Sequence, residues 1–232
     1  MHYQIAIDGP SGAGKSTLAK AVAKKLGIVY VDTGALYRTV GYYVRKQDVD
    51  PKDAVAVAAL LPEISVKVRY ENGVQKVYLC GEDLGDRIRT PEMSLYASAV
   101  SAIPAVRAFL LETQKEIARE NSVVMDGRDI GTVILPDADV KIFLTASSEA
   151  RARRRYAELC EKGQTVTYED VLREMELRDG NDRNREIAPA VAAPDAILLD
   201  NSGMTVEEGV DAVLRLVSQR VPAVAALIGG AV

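Results

Sequence analysis

The sequence predicts an α/β protein built on a five-stranded, mainly parallel sheet. Short apolar runs alternate along the chain with helical patterns, and this alternation is typical of a parallel sheet flanked by helices. The first apolar run leads into a glycine-rich loop and then into a helix. The chain has 232 residues, 48% of them hydrophobic and 27% charged, which is ordinary globular composition and enough for a large core. We expect residues 1–220 to form a single domain.

Five apolar runs are predicted to be the strands of this sheet. They are Tyr3–Ile7, Ile28–Val31, Val123–Met125, Val140–Leu144 and Ala196–Leu199. The helix after the first run is expected to end at Gly27, because glycine readily adopts the left-handed conformation found at many helix ends. The last helix is predicted to begin at a capping box formed by Thr205 and Glu208.

An insertion with strand character is predicted between the second and third core strands. Apolar and polar residues alternate over 64–70, Asn72-Gly73 follows, and a second β-rich run covers 74–80. Alternation on both sides of an Asn-Gly pair is typical of a β-hairpin. We therefore interpret residues 64–89 as a small β-rich insertion.

Two further segments differ from the core in composition. Residues 148–186 are strongly charged, and we interpret them as a helical lid region. Residues 221–232 are apolar but fewer than the roughly 20 residues that span a bilayer, so we expect a loosely ordered or docked C-terminal tail. The N-terminus enters a strand-like run without the pattern of a signal peptide. We expect no membrane association.

The composition excludes several classes of function. His2 is the single histidine and lies next to the terminus, so the sequence lacks the residues for histidine-based catalytic triads and multi-histidine metal sites. Cys80 and Cys160 lack metal-ligand spacing, which favours a reduced, cytoplasmic protein. The net charge of -4 does not suit a protein that binds nucleic acid. Any catalysis must use lysine, arginine, aspartate, serine and the backbone.

The loop after the first strand matches the phosphate-binding pattern G-x-x-x-x-G-K-[ST] in full. Its residues are Gly9, Pro10, Ser11, Gly12, Ala13, Gly14, Lys15 and Ser16. Between a strand and a helix, such a loop directs backbone N–H groups and the positive end of the helix at phosphates. We expect Lys15 to reach the terminal phosphates of a nucleoside triphosphate, Ser16 to ligate Mg²⁺ and Thr17 to support the phosphate shell. The Asn-Lys-x-Asp string of guanine-reading GTPases does not occur.

Two aspartates at strand ends are candidate magnesium ligands. Asp126 ends the third core strand and Asp32 the second. Ligands in open α/β sheets bind beyond the carboxyl ends of the strands, where a carboxylate can hold the water shell of Mg²⁺. The alternative for each aspartate is a strand-end cap or a turn residue.

Arginines at the same edge of the sheet indicate a phosphorylated acceptor. Arg38 and Arg128 both follow core strands, and a forked guanidinium group suits a dianionic phosphate better than a neutral hydroxyl. Such a phosphate is already mostly a dianion at about pH 7 and needs no general base. Positioning and charge neutralisation are then the catalytic work, in agreement with the lack of a catalytic histidine.

The charged lid region supplies further candidates. Arg178, Asp182 and Arg185 share a face if Val171–Arg185 is one helix. That face would close over the phosphates. The side chain that neutralises charge on the transferring group is then one of Arg185, Arg151, Arg154 and Arg155. The alternative is an exposed helix with ion pairs along its surface.

Four segments, taken together and in this order, resemble bacterial cytidylate kinases. They are GPSGAGKS, DTGALYR, DGRDIGTVILPDADVKIFLTASSEARARRR and RDGNDRNR. The resemblance runs from about Ile5 to Val217. Residues 64–89 resemble the extra nucleoside-binding insert of the bacterial type, and IPAVRAFLL resembles the helix that carries a substrate arginine. The implied fold is the nucleoside monophosphate kinase core of P-loop proteins, with a five-stranded parallel sheet, a mobile acceptor-binding region and a lid.

The resemblance also implies roles for individual residues. Contacts to the phosphate end of the acceptor nucleotide are implied for Thr33, Tyr37, Arg38 and Arg128. Contacts to cytosine are implied for Ser98, Arg107 and Asp129. Positions near the sugar are implied for Arg178 and Asp182, and Arg185 matches a lid arginine that faces the phosphates. We expect catalytic roles for Lys15, Arg128, Arg178 and Arg185, and contacts to ATP for Arg154 and Arg155.

The chain departs from the family pattern at a few positions. Gly180 and Asn181 stand where the family often has charged residues, so the charge of the lid differs. Ser16 stands where the family frequently has glycine, and Thr33 where serine is also common. Neither of these two changes removes an essential group.

The implied activity is reversible, Mg²⁺-dependent transfer of the γ-phosphoryl group of ATP to CMP and dCMP by a cytoplasmic monomer. Another small P-loop kinase, acting on UMP, AMP, shikimate or dephospho-coenzyme A, is the first alternative. Asp129 with Arg107 favours cytosine over uracil, because uracil has a carbonyl group where cytosine has an amino donor. A nucleotide-sensing module that hydrolyses slowly and signals through its lid is the second alternative.

Overall fold

The computed structural model describes residues 2–161 and 163–229. Its strands are β1 (Gln4–Asp8), β2 (Val29–Asp32), β3 (Val66–Glu71), β4 (Val74–Leu79), β5 (Glu82–Asp83), β6 (Val123–Gly127), β7 (Val140–Thr145) and β8 (Ile197–Asp200). Its helices are α1 (Lys15–Leu26), α2 (Thr33–Lys46), α3 (Ala54–Leu60), α4 (Pro91–Val100), α5 (Pro104–Glu120), α6 (Ser148–Glu161), α7 (Tyr168–Arg183), α8 (Val206–Arg220) and α9 (Pro222–Gly229). Short 3₁₀ turns occur at Leu61–Glu63 and Gly85–Ile88, and a π-helical turn occurs at Ile130–Ile134.

The core sheet has the strand order β2-β6-β1-β7-β8. β1 pairs in parallel with both β6 and β7, and β7 pairs in parallel with β8. The predicted five-stranded sheet is therefore confirmed, and every strand lies within two residues of its predicted bounds. Ile5, Ala6 and Ile7 of β1 are fully buried. Strands covered on both faces are apolar at successive positions, which is why these strands appear in the sequence as continuous runs.

The chain divides into two compact units. The first contains residues up to 28 together with the described residues from 122 onward, and the second contains residues 29–121. In the first unit, α1 and α8 pack on each other and against the strands. Gly27 ends α1 in the left-handed conformation at φ 66°, as predicted. The capping box at the start of α8 is also present, with reciprocal hydrogen bonds between Thr205 and Glu208.

The lid region forms α6 and α7, which pack against each other. Ala152 and Leu159 of α6 and Val171 and Met175 of α7 make a small apolar cluster. The condition for a shared face, one helix from Val171 to Arg185, is not met, because α7 ends at Arg183. The N–H group of Asn184 still donates to the carbonyl oxygen of Gly180, and the chain then leaves the helical path. Arg185 therefore lies beyond the helix and not on its face.

The predicted C-terminal tail, residues 221–232, falls partly within the described residues. Pro222–Gly229 form α9, which packs on α8. Val221 and Val224 are buried. Residues 230–232 lie outside the described part of the chain.

The second unit contains the predicted hairpin. β3 and β4 pair as antiparallel strands from Val66 opposite Leu79 to Glu71 opposite Val74. Asn72 and Gly73 both have positive φ, 52° and 75°, as the tight turn between twisted strands requires. β5 adds a third strand that the sequence did not predict, because two residues are too few to show alternation.

The second unit has an apolar core of its own. α2 packs against α4 and α5, and the hairpin covers α2. The cluster includes Leu36 and Val40 of α2, Val100 of α4 and Leu110 of α5, all fully buried. α2 is thereby held along most of its length, and its N-terminal turn carries several of the predicted acceptor residues.

Within the described residues, no single helix is long and apolar enough to cross a bilayer. α4 and α5, bent by 102° at their junction, meet the criteria of length and composition only when they are taken together.

Candidate functional site

The glycine-rich loop lies between β1 and α1, as the sequence predicts. Gly9 has φ 147°, and a Cβ atom at this position would collide with the carbonyl oxygen of Leu144 on β7. No other residue fits there without moving the backbone of the sheet. Gly14, at φ 84°, precedes the first residue of α1. The N-terminus of α1, a helix of 12 residues, thus opens directly from the loop.

Lys15 is a buried lysine that interacts with its own loop. Its Nζ atom donates to the carbonyl oxygen of Pro10 at 2.6 Å. Burial lowers the pKa of Lys15 well below its ordinary value, and the charges of Arg128 and Arg178 act in the same direction, while Asp126 opposes them. The ammonium group thus lies near two guanidinium groups as well as the carboxylates of Asp126 and Asp8, and a bound phosphate would add negative charge beside it.

Ser16 and Asp126 are brought together, as expected for two groups near one cation. The Ser16 hydroxyl donates to Oδ2 of Asp126 at 2.8 Å. Asp126 is buried near the end of β6. Among the described residues no group of three or more histidine, cysteine, aspartate or glutamate side chains is placed to hold a metal ion. A single carboxylate with one hydroxyl nevertheless fits Mg²⁺, which keeps most of its waters and takes further oxygen ligands from phosphates.

Asp8 is a functional candidate that sequence reasoning missed. It is buried at the end of β1, and its carboxylate accepts hydrogen bonds from the N–H groups of Ile130 and Gly131, both at 2.8 Å. Burial raises the pKa of Asp8 to about 6, against the effect of these two hydrogen bonds. The carboxylate fixes the turn that follows Arg128 and Asp129. The signal for Asp8 in the sequence is that it is a charged residue directly after an apolar run.

Arg128, Asp182 and Arg185 form a compact ion group. Nε of Arg128 donates to one carboxylate oxygen of Asp182 at 2.9 Å, and Arg185 donates to the other. Burial alone would raise the pKa of Asp182, but the charges of Arg128, Arg185 and Arg178 lower it to about 2. The structure thus brings Arg128 together with two residues that follow it by 54 and 57 positions in the chain. Arg185 reaches the group from the segment after α7.

Helix α7 also contacts the tip of the loop. Oδ1 of Asp179 accepts from the N–H group of Ser11 at 3.0 Å, and Nη1 of Arg178 donates to the Ser11 hydroxyl at 3.4 Å. Arg151 on α6 donates to the Ser11 carbonyl oxygen at 2.9 Å and forms a buried ion pair with Asp179. Arg151 is therefore held by contacts to the loop and to α7 within the protein. Asp179 was not predicted, because spacing alone gave it no partner.

The two arginines expected to contact ATP have different surroundings. Nη2 of Arg154 donates to the carbonyl oxygen of Asn201 at 2.6 Å, beside the loop between β8 and α8. Asn201 in turn donates to the carbonyl oxygen of Ala13 in the glycine-rich loop at 2.9 Å. Arg155 pairs with Glu158 at 2.8 Å on the surface of α6. Arg154 is thus linked to the phosphate-binding loop through one side chain, and Arg155 lies one turn from its own partner.

In the second unit, Asp32 caps α2 and pairs with Arg38. Its Oδ1 accepts from the N–H group of Ala35 at 2.9 Å, and its Oδ2 accepts from Nη2 of Arg38 at 2.9 Å. Nη1 of Arg89 lies 3.6 Å from the same Oδ2. Both oxygens of Asp32 therefore have protein partners. These contacts fit the alternative that the sequence left open for Asp32, a strand-end cap.

The guanidinium group of Arg38 has a buried donor. Its Nε atom is buried and has no hydrogen-bond partner within the described part of the chain. Gly34 leaves room for the guanidinium group, because a Cβ atom there would lie 2.9 Å from Nη1 of Arg38. Thr33, the first residue of α2, is buried beside this turn. A buried donor of this kind favours an anionic ligand.

Arg107 and Tyr37 are brought together elsewhere in the second unit. The guanidinium carbon of Arg107 on α5 lies 5.8 Å from the ring centroid of Tyr37 on α2. Nη1 of Arg107 donates to the carbonyl oxygen of Ser101 at 3.3 Å, and the Ser101 hydroxyl donates to the carbonyl oxygen of Ser98 at 2.9 Å. Arg107 is buried. Three predicted acceptor residues, Tyr37, Ser98 and Arg107, thus belong to one local cluster.

Comparison with known proteins identifies close relatives. A family model described as cytidylate kinase matches residues 5–219. A cytidylate kinase of Fervidobacterium nodosum is 52% identical over 220 residues, which are 95% of this chain and 98% of that protein. A cytidylate kinase of Caldicellulosiruptor bescii is 48% identical over 212 residues, 91% and 94% of the two chains. Among solved structures, a shikimate kinase from Bacteroides thetaiotaomicron has a TM-score of 0.47 at 14% identity, with 93% of this chain and 98% of that one covered.

Proposed function

The chain belongs to the cytidylate kinase family, and we propose that this nucleoside monophosphate kinase transfers the γ-phosphoryl group of ATP to CMP and dCMP. The observation that carries the proposal is the ion group of Arg128, Asp182 and Arg185, in the same unit as the phosphate-binding loop. Two guanidinium groups ordered by one buried carboxylate suit a dianionic phosphate. A hydroxyl acceptor would not require them.

The reaction needs charge neutralisation more than proton transfer. An oxygen of the acceptor phosphate bonds to the γ-phosphorus of ATP, the bond between that phosphorus and the β–γ bridging oxygen breaks, and ADP leaves. The acceptor oxygen is already ionised near neutral pH, so no side chain has to remove a proton. The residues that we assign to the phosphate charges are Lys15, Arg128, Arg178 and Arg185.

Lys15 is suited to this role by its position in the loop and its burial. Its pKa is lowered by burial and by two neighbouring arginines, and it donates to the Pro10 carbonyl oxygen. The phosphates of ATP offer anionic acceptors in place of that neutral one, and charge-assisted hydrogen bonds are the stronger kind. Binding of ATP thus raises the pKa of Lys15 and keeps it as an ammonium group.

Mg²⁺ fits beside this loop. Ser16 and Asp126 supply a hydroxyl and a carboxylate oxygen 2.8 Å apart, and we assign the cation to these two residues. When bound, the ion would neutralise charge on the phosphates of ATP.

Recognition of the two nucleotides is assigned residue by residue. For the acceptor phosphate we propose Thr33, Tyr37 and Arg38, the last through its buried Nε atom. For cytosine we propose Ser98, Arg107 and Asp129, because a carboxylate can accept from the 4-amino group while a guanidinium group and a hydroxyl serve the ring acceptors. For the sugar we propose Arg178 and Asp182, and for ATP we propose Arg154 and Arg155 besides Gly9–Thr17.

We also propose that the protein works as a cytoplasmic monomer on small nucleotides and not on nucleic acid or membranes. Cys80 and Cys160 are both free and exposed, which suits a reducing compartment. The net charge of -4 gives no support for binding to polyanions.

The test of this function is acceptor-dependent release of ADP. Initial rates are measured with Mg-ATP and CMP, dCMP, UMP, AMP or shikimate offered separately, together with a sample without acceptor. We expect CMP and dCMP to give the highest kcat/KM, with UMP well behind because it lacks the amino donor. If none of the five raises ADP release above the sample without acceptor, the kinase function is refuted, and a nucleotide-sensing module takes its place.

The variant Arg107→Met tests the cytosine assignment. We expect a raised KM for CMP and an unchanged KM for ATP, because Arg107 lies on α5, away from the phosphate-binding loop in the sequence. Arg119→Met is the matched control, since Arg119 lies on the same helix in an exposed pair with Glu112. Equal CMP kinetics in the two variants would remove Arg107 from the base site.

A further inference from the structure

The side chain of Gln75 in the β-rich insertion is bonded to the last residue of β2. Its Oε1 accepts from the N–H group of Asp32 at 2.7 Å, and its Nε2 donates to the carbonyl oxygen of Asp32 at 3.2 Å. The amide thus uses its acceptor and a donor on the two backbone groups of one residue. This is the pattern that a neighbouring strand would supply, so Gln75 occupies the backbone groups of the last residue of β2.

Asp32 transmits this contact to Arg38. Its backbone is held by Gln75, its Oδ1 caps the first turn of α2, and its Oδ2 receives Nη2 of Arg38. The Asp32 and Arg38 side chains are 9% and 18% exposed, so the pair is largely shielded from solvent. A shift of the Asp32 backbone therefore moves the carboxylate that holds the guanidinium group.

The insertion makes a second, weaker contact with the same carboxylate. Arg89, the last residue of the insertion, has Nη1 at 3.6 Å from Oδ2 of Asp32 and is 44% exposed. At this distance and exposure the pair contributes little. Gln75 is the main connection between the insertion and Asp32.

We propose that Gln75 is a positioning residue, through which the β-rich insertion holds Asp32 and thereby aims Arg38 at the acceptor phosphate. The inference rests on the proposed function, in which Arg38 binds that phosphate. It gives the insertion a defined task at the phosphate end of the acceptor, with no contact between Gln75 and the nucleotide. Arg38 keeps its Nε for the ligand because Nη2 is occupied by Asp32.

Two substitutions separate the two hydrogen bonds of Gln75. Gln75→Met keeps the length of the side chain and loses both bonds. Gln75→Glu keeps the acceptor for the Asp32 N–H group but places a carboxylate oxygen beside the Asp32 carbonyl oxygen. We expect KM for CMP to rise about 3- to 10-fold in Gln75→Met, the range for loss of ordinary hydrogen bonds, and at least as much in Gln75→Glu. KM for ATP should stay within about twofold of wild type.

Lys67→Met is the matched control. Lys67 lies on β3 of the same hairpin, is exposed, and receives the same replacement. We expect its kinetics to match wild type. If Gln75→Met lowers the melting temperature but leaves KM for CMP unchanged, Gln75 only stabilises the insertion and the proposal is overturned.

A double-mutant cycle with Arg38→Met shows through which residue Gln75 acts. If Gln75 works through Arg38, Gln75→Met adds less than twofold to KM for CMP once Arg38 is already methionine. Fully multiplicative effects of the two changes would overturn the proposal. If Arg38→Met itself leaves CMP kinetics unchanged, the acceptor site of the proposed function is refuted, and this result is distinct from a failure of Gln75 alone.

Discussion

Replacement of Asp182 by asparagine should destabilise the protein in a way that depends on pH. Asp182 is 3% exposed and pairs with Arg128 and Arg185, whose side chains are 18% and 8% exposed. Burial would raise the pKa of this carboxyl group, but the neighbouring arginines lower it from the ordinary value of 3.8 to about 2. The folded protein therefore releases this proton more readily than the unfolded chain does. Its contribution to stability is complete above about pH 4 and is lost as the pH falls through 2.

The size of the effect follows from that difference in pKa. At about 1.4 kcal/mol for each pH unit, the charged carboxylate contributes about 2 kcal/mol to the free energy of unfolding near pH 7. Asparagine also leaves two guanidinium groups without their counter-ion, so we expect Asp182→Asn to lose about 2–4 kcal/mol. For a chain of this size the melting temperature then falls by about 5–10 °C. At pH 3 the part that comes from the charge drops to about half.

Urea unfolding at pH 7 and pH 3 measures these quantities. The control is Asp211→Asn, since Asp211 forms an exposed pair with Lys25 at 3.0 Å and such pairs contribute about 0–1 kcal/mol. Two results would refute the reasoning. One is a loss in Asp182→Asn no larger than in Asp211→Asn at pH 7, and the other is an equal loss at both pH values.

Two substitutions in the first turns of α1 and α2 give further tests. Lys15→Ala should lower kcat by orders of magnitude with the fold intact, since it removes the buried ammonium group beside Pro10. A kcat within a few-fold of wild type, together with an unchanged circular dichroism spectrum, would contradict the assignment of the phosphate-binding loop. Gly34→Ala should raise KM for CMP several-fold and leave KM for ATP unchanged, because the added methyl group would lie 2.9 Å from Nη1 of Arg38 and displace it. Unchanged CMP kinetics in steady-state assays would contradict the role of Arg38.

Local signals in the sequence predicted the core of the fold and the phosphate-binding loop. The strands are short apolar runs because both faces of the sheet are covered, and this property belongs to each run by itself. The loop is equally local: Gly9 has to lack a side chain because the carbonyl oxygen of Leu144 is so near, and the pattern records that requirement. The capping box of Thr205 and Glu208 spans four residues and was visible for the same reason.

The positions that sequence reasoning missed depend on contacts between distant residues. Asp8 binds N–H groups 122 and 123 positions away, and Asp179 binds Ser11 across 168 positions. Neither contact leaves a periodic pattern in the chain. The role of Gln75 could not be predicted either, because the residues around it in the sequence do not indicate that its side chain binds the end of another strand. The position of Arg185 has a related cause: spacing places it on the face of Arg178 and Asp182 only if the helix continues, and α7 ends at Arg183.

The phosphate-binding loop indicates the donor of the reaction, and the arginines indicate the acceptor. A loop of this kind binds a nucleoside triphosphate in many classes of protein, so it leaves the acceptor open. Arg128 and Arg185 share one carboxylate, and that arrangement leaves the pair with a net positive charge beside the loop. In the proposed function, a dianionic acceptor would balance that charge and supply its own ionised nucleophile, which fits a chain with a single histidine at position 2. An acceptor with a hydroxyl group would bring neither the charge nor the ionised oxygen.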